Sequence, residues 1–170
     1  MGWLFLKIGE FFKVILAVLG IISAYPDVTV DNLFVYQNFQ DPLVINAQFR
    51  AYNLVNSSVR DIIEGGIDVN IIYQIRTSVN ENLVYSNKVV NRISYSSNNF
   101  QLNHKYSFNF SMLTNTIGVN ELVVLTNSEN YRRKNIKTEI EILINCDATP
   151  EIINLWGNKP RITLYYSLGE

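Results

Sequence analysis

The chain holds one histidine, His104, and one cysteine, Cys146, so any catalysis built on an imidazole base or a thiolate must use these two side chains. His104 shares the alternation parity of Phe100, Leu102, Tyr106 and Phe108. That places it as a hydrogen-bonded residue at a strand edge or bend. Read instead as a turn, Asn103-His104-Lys105 puts the ring in solvent. Cys146 closes the apolar stripe Ile140, Ile142, Ile144, where a thiol behaves as a small hydrophobe. The neighbouring Asp147 carboxylate raises a thiol pKa, the wrong direction for a nucleophile. One His and one Cys do not make a zinc site, which takes several such ligands.

Carboxylate pairs are the next candidates. Asp61 and Glu64 share a helix face at i, i+3, and Glu139 and Glu141 share the polar face of one strand. Glycoside hydrolysis needs two carboxyl groups facing each other across a cleft. Neighbours on one face read instead as solvated surface. Gly65-Gly66 ends a helix rather than opening one, so it is not a phosphate loop. The remaining cluster, Arg132-Arg133-Lys134, lies in the polar segment Asn127–Asn135 and is the one candidate surface contact, for an acidic partner or an anionic headgroup, although a three-residue run is more often a solvated loop. No catalytic residue, cofactor or metal is assigned, and the expectation is a protein that is not an enzyme.

These residues sit on segments of strong period-two alternation. Leu43 to Ala51 and Ile67 to Arg76 both carry apolar residues at odd positions, the pattern of strands with one buried face. Leu83, Tyr85, Val89, Ile93 and Tyr95 extend the pattern beyond Asn80-Glu81, which predicts a hairpin of 67–77 with 82–95. Phe100, Leu102, Tyr106, Phe108, Phe110 and Met112 read as one further stripe, as do Ile162, Leu164, Tyr166 and Leu168. Val28–Gln37 is apolar on both parities, as in a doubly covered strand, and Val119–Thr126 is a short strand candidate. The aromatic residues, Phe34 and Tyr36 among them, are assigned mostly to the core.

Two short helices are predicted as lids. One has Ser58 as N-cap, Asp61 three residues on and a stop at Gly65-Gly66; the other runs from Thr149-Pro150 to Gly157. About eight short strands with few helices predict an all-β domain, an antiparallel β-sandwich of immunoglobulin-like topology, with a small closed barrel as the alternative.

The first 24 residues differ from the rest. Lys7 and Lys13 precede the apolar run Val14–Ile22, which ends at Ser23-Ala24-Tyr25-Pro26. That run falls in the range of about 7–15 residues for a signal peptide's apolar region. It is shorter than the roughly 20 residues a spanning helix requires. Residues 1–24 are therefore expected to be a signal peptide cleaved after Ala24, or an uncleaved anchor if Trp3–Phe12 joins the span. The domain is then 25–170, about 146 residues, enough to bury roughly 68–70% of its unfolded surface. Without Lys7, Glu10 and Lys13 it carries 12 basic and 14 acidic residues, a balance that argues against a nucleic-acid partner. Its sequons, at Asn56 and Asn109, are assigned no function in a chain this rich in asparagine.

From Gln48 to Ile75 the chain resembles an uncharacterised family of small exported bacterial proteins. The residues that carry the resemblance are Phe49, Leu54, Ser57, Val59-Arg60, Ile62, Glu64-Gly65-Gly66-Ile67, Val69 and Tyr73. The family's Trp-rich stretch after the long strand is absent, because Ser78 to Asn82 is polar. The resemblance implies an envelope location and supplies no catalytic residue. Together these readings predict an exported interaction or structural module of a bacterial cell envelope, periplasmic or anchored, meeting a protein or envelope component. Its membrane association would run only through residues 1–24. The alternative is a periplasmic binding or chaperone-like protein that holds an apolar or peptide ligand.

Overall fold

A computed structural model describes residues 28–146 and 160–169. The predicted signal or anchor segment and the helix predicted over 149–157 lie outside the described residues. Those residues form nine strands: β1 Thr29–Gln37, β2 Ile45–Tyr52, β3 Val69–Val79, β4 Asn82–Ser96, β5 Asn99–Leu102, β6 Tyr106–Phe108, β7 Val119–Leu125, β8 Asn135–Cys146 and β9 Arg161–Ser167. Two α-helices, α1 Ser57–Glu64 and α2 Phe110–Gly118, and a 3-10 turn, Ser128–Tyr131, complete them. The protein is mostly β, in two antiparallel sheets. The small one has the order β1-β2-β7 and the large one β6-β5-β4-β3-β8-β9. Two separate sheets, each with its own edges, replace the closed barrel considered from alternation alone.

The clearest expectation holds. β3 and β4 form a hairpin whose two-residue turn, Asn80-Glu81, has φ of 49° and 66°. Positive φ at both central positions gives a type I′ turn, whose twist matches that of the strands. Ser97-Asn98 repeats the device between β4 and β5, with φ of 51° and 63°. Along β3 every odd residue from Val69 to Val79 is buried, and so are the even residues of β8 from Ile136 to Cys146. Leu83 departs from the pattern. Thr77 pairs with Tyr85 but Ser78 pairs with Leu83, so a bulge at Val84 shifts the parity and leaves Leu83 61% exposed.

Three other expectations are corrected. β1 is an edge strand rather than a doubly covered one, and the register slips between Asp31 and Phe34, where Asn32 has φ of 50°. Phe34, assigned to the core from the sequence, is consequently half exposed. The first helix is capped by Asn56, whose side chain accepts the Val59 N–H at 3.0 Å, and Ser58 lies inside it. The stripe from Phe100 to Met112 is not one strand. Asn109 caps α2 by accepting the Met112 N–H at 2.9 Å, so Phe110 and Met112 are helical. Alternation over three or four residues cannot separate a strand from the first turn of a capped helix.

One apolar core joins the layers. Phe49 of β2 meets Tyr73 of β3 with ring centroids 6.1 Å apart, an aromatic contact between the two sheets. Helix α1 packs on β3 and β4, while α2 touches β2 and β7 on one side and β5 and β6 on the other. The Arg60 guanidinium lies 4.7 Å from the Phe110 ring centre, which ties the helices together.

Tyr73 is fully buried, and its hydroxyl has no hydrogen-bond partner of normal geometry. Burial pushes its pKa far above the usual phenol value, and the nearby Asn120 side chain offsets only part of this. Tyr73→Phe removes a buried polar group while keeping the ring. It is expected to leave stability unchanged or raise it by up to about 1 kcal/mol, read from urea denaturation. A loss of 2 kcal/mol or more (roughly the cost of orphaning a partner) would reveal a hydrogen bond at that hydroxyl.

Candidate functional site

The residues picked out for chemistry do not converge. His104 lies in the exposed turn between β5 and β6 with φ of 57°, so the turn reading holds and the strand-edge reading does not. Cys146 is buried at the end of β8, 1% exposed. Three of the four carboxylates, all but Asp61, have a cation near them. Glu64 pairs with Arg60 at 2.8 Å, Glu139 with Lys137 at 3.1 Å and Glu141 with Arg161 at 3.6 Å. The Glu139 carboxylate holds the Lys137 ammonium above its ordinary pKa. Asn56 is buried under its capping bond, which shields that sequon from glycosylation. Among the described residues no group of three or more His, Cys, Asp or Glu is placed to hold a metal.

Arg132, Arg133 and Lys134 do sit in a built environment. They follow the 3-10 turn between β7 and β8, and all three are exposed. Their backbone is fixed against the end of β9: Arg132 bridges Leu168, and the Arg133 N–H donates to the Leu168 carbonyl at 3.1 Å. The Lys134 ammonium donates to the Asn130 carbonyl at 3.3 Å and lies 5.7 Å from the Tyr131 ring centre.

The loop beside them was not marked by the sequence. Residues 38–44 join β1 to β2, and polar groups at nearly every step hold this loop in shape. The Asp41 carboxylate accepts the Leu43 N–H at 3.0 Å, and the Asn38 side chain accepts the Gln40 N–H at 2.8 Å. The Gln37 amide donates to the Pro42 carbonyl at 2.7 Å. Ser128 then fastens this loop to the next. Its N–H reaches the Leu43 carbonyl at 3.0 Å, and its hydroxyl reaches the Pro42 carbonyl at 3.1 Å. At the centre of this pinned segment Phe39 is 99% exposed, with Leu43 42% exposed nearby. Leaving a phenylalanine in water forgoes about 1.5–3 kcal/mol of burial. The hydrogen bonds within the loop hold the ring in this exposed position.

The β3–β4 turn belongs to the same end. Ser78 and Val79 pair with Lys137 and Ile136, just after the basic run. A depression of about 770 Å³ lies there, lined by Asn80, Glu81, Lys137 and the 76% exposed Tyr165 among others. Asp41, Glu81 and Glu129 are exposed on these loops too. The end is thus mixed in charge rather than a basic patch. In sequence the only trace of Phe39 is an aromatic between turn-forming Asn38 and Asp41-Pro42.

By fold, the chain belongs to the mostly β proteins built of two antiparallel sheets, with one end formed by mutually pinned loops. Comparison with protein-family models, with curated protein sequences and with solved structures gives no match.

Proposed function

We propose that the protein is an exported, non-enzymatic β-sandwich that acts as an interaction module of a bacterial cell envelope, with its loop end as the contact surface. The observation that carries this reading is Phe39, held fully exposed by a hydrogen-bonded loop that Ser128 fastens to the segment preceding Arg132, Arg133 and Lys134. An exposed aromatic on a loop fastened to the segment that leads into a basic run has the composition of an interface anchor, and the balancing acids favour a protein partner over a polyanion. Export is supported by the apolar run Val14–Ile22 behind Lys7 and Lys13. Thr29 pairs with Tyr52 and Gln37 with Ile45, so β1 leads from the N-terminal segment toward the loop end. A domain held at its N-terminus carries the loop end at the far end of β1.

The proposed topology is immunoglobulin-like. Strands β1, β2 and β7 follow the order A-B-E of that fold, and β9, β8, β3, β4 and β5 follow G-F-C-C′-C″. The departures are β6, which extends the larger sheet, and the two helices, α1 before β3 and α2 before β7.

Site-specific photo-crosslinking in intact cells tests the function. A photoreactive residue at position 39 is expected to give a discrete adduct that the same residue at exposed position 86 does not. Protease added to spheroplasts but not to sealed intact cells should degrade the protein. Identical adduct patterns from positions 39 and 86, or protection in spheroplasts, would sink the reading.

A further inference from the structure

The outer face of the small sheet, distinct from the loop end, carries a second constellation. The register places Phe34 beside Gln48 and Tyr36 beside Asn46 on one side of β2, with Glu121 beside Gln48 and Val119 beside Arg50 on the other. Cross-strand partners share a face, and Ala47 and Phe49 point into the core, so these residues point away from it. The Phe34 and Tyr36 rings lie 5.7 Å apart at an interplanar angle of 39°, and Phe34 is half exposed.

The polar groups beside the rings are partly fixed and partly unused. Glu121 Oε1 accepts from the Tyr36 hydroxyl, and from the Asn46 amide at 3.0 Å. The bond to Glu121 raises the Tyr36 pKa, so the phenol stays protonated and keeps donating. Both donors go to one carboxylate oxygen, which orients the group and leaves Oε2 as an open acceptor. Asn46, 5% exposed, has an amide oxygen without a protein partner. Among the described residues the side chains of Gln48 and Arg50 make no hydrogen bond or ion pair. Toward Tyr52 the face runs into a groove of about 480 Å³ lined by Arg50, Tyr52, Leu54, Ile117 and Val119 among others. From Asn46 to Tyr52 it spans roughly 20 Å at about 3.3 Å per residue.

We infer that this face binds a neutral glycan chain. Paired rings offer apolar surface to the C–H face of a pyranose. A fixed carboxylate, the Gln48 amide and the Arg50 guanidinium beside them match its ring of hydroxyls, which both donate and accept. Glu121 and Asp31 offset Arg50, so a polyanion gains no net attraction. An acyl chain would leave the carboxylate and the Gln48 amide desolvated without partners.

The probes are chitotetraose, cellotetraose and maltotetraose, titrated by calorimetry and amide NMR into the full chain held in a zwitterionic, sugar-free detergent. At least one is expected to bind, with shifts concentrated on β1, β2 and β7. Phe34→Ala should weaken it by about tenfold, the scale of one aromatic contact. Glu121→Gln should do so by a similar factor, and Ser86→Ala should change nothing. Phe34 is a half-exposed edge residue, so a melting curve like that of wild type separates lost binding from lost folding. Binding of none of the three sugars, or binding indifferent to both Phe34→Ala and Glu121→Gln, overturns the inference.

Discussion

Replacing Ile71 with lysine is expected to leave the protein unfolded at room temperature. Ile71 is fully buried in β3, between Asn91 of β4 and Ile144 of β8, and faces the core shared by the two layers. An ammonium there loses its hydration and finds no counter-charge, which costs several kcal/mol. The whole stability of a domain is about 5–15 kcal/mol. The contrast is Gln74→Lys on the outer face of the same strand. It lies between Lys88 and Glu141 in register, so attraction and repulsion offset. That change is expected to move stability by less than about 0.5 kcal/mol. Circular dichroism melts of the two variants decide the matter, and similar midpoints would mean that the faces of β3 are misassigned.

Thr77→Val is expected to cost about 1–3 kcal/mol although it keeps shape and adds no charge. The Thr77 hydroxyl, in the large sheet, donates to the Val124 carbonyl of β7, in the small one. It also lies 2.8 Å from the Thr138 hydroxyl, which in turn lies 3.2 Å from that of Tyr166. Both threonines are fully buried, so this chain of hydroxyls is a polar tie between the two sheets. Burial raises the Tyr166 phenol pKa, and the Thr138 bond only partly reverses this, so the phenol remains a donor near neutral pH. Valine at 77 leaves the Val124 carbonyl without its donor and deprives Thr138 of one partner. Thr77→Val with Thr138→Val should cost less than the sum of the two single changes, because the second removes a group that the first has already stranded. Urea denaturation of the four proteins in this cycle measures the coupling. Additive losses would show that the hydroxyls act independently.

The hairpin was legible because its signals are local and mutually consistent. Eleven residues of β3 alternate, and Asn80-Glu81 supplies a turn of the required hand. Short segments were not legible in the same way. Val84 carries no mark of a bulge, since a bulge follows from how two strands pair. Phe110 and Met112 continue a parity by coincidence, and it is the Asn109 cap that turns them into helix. The candidate site was half visible. A run of three cations stands out in a chain with only 17% charged residues, but Phe39 looks like any other phenylalanine in an aromatic-rich sequence.

By itself the sequence determined which residues form the long strands and which of their faces is buried, because both depend on the two-residue period of the backbone. It also determined that His104 and Cys146 could find no second histidine or cysteine anywhere in the chain. Tertiary structure alone decided which strands share a sheet and that β1 is an edge. It also decided that Phe34 and Tyr36 stand beside Glu121, and that Ser128 brings residues 38–44 against the loop of Arg132. The pairing of Tyr36 with Glu121 spans 85 positions, and the bond from Ser128 to Pro42 spans 86. Contacts at such separations depend on how whole sheets stack, and no periodicity within a ten-residue window encodes that.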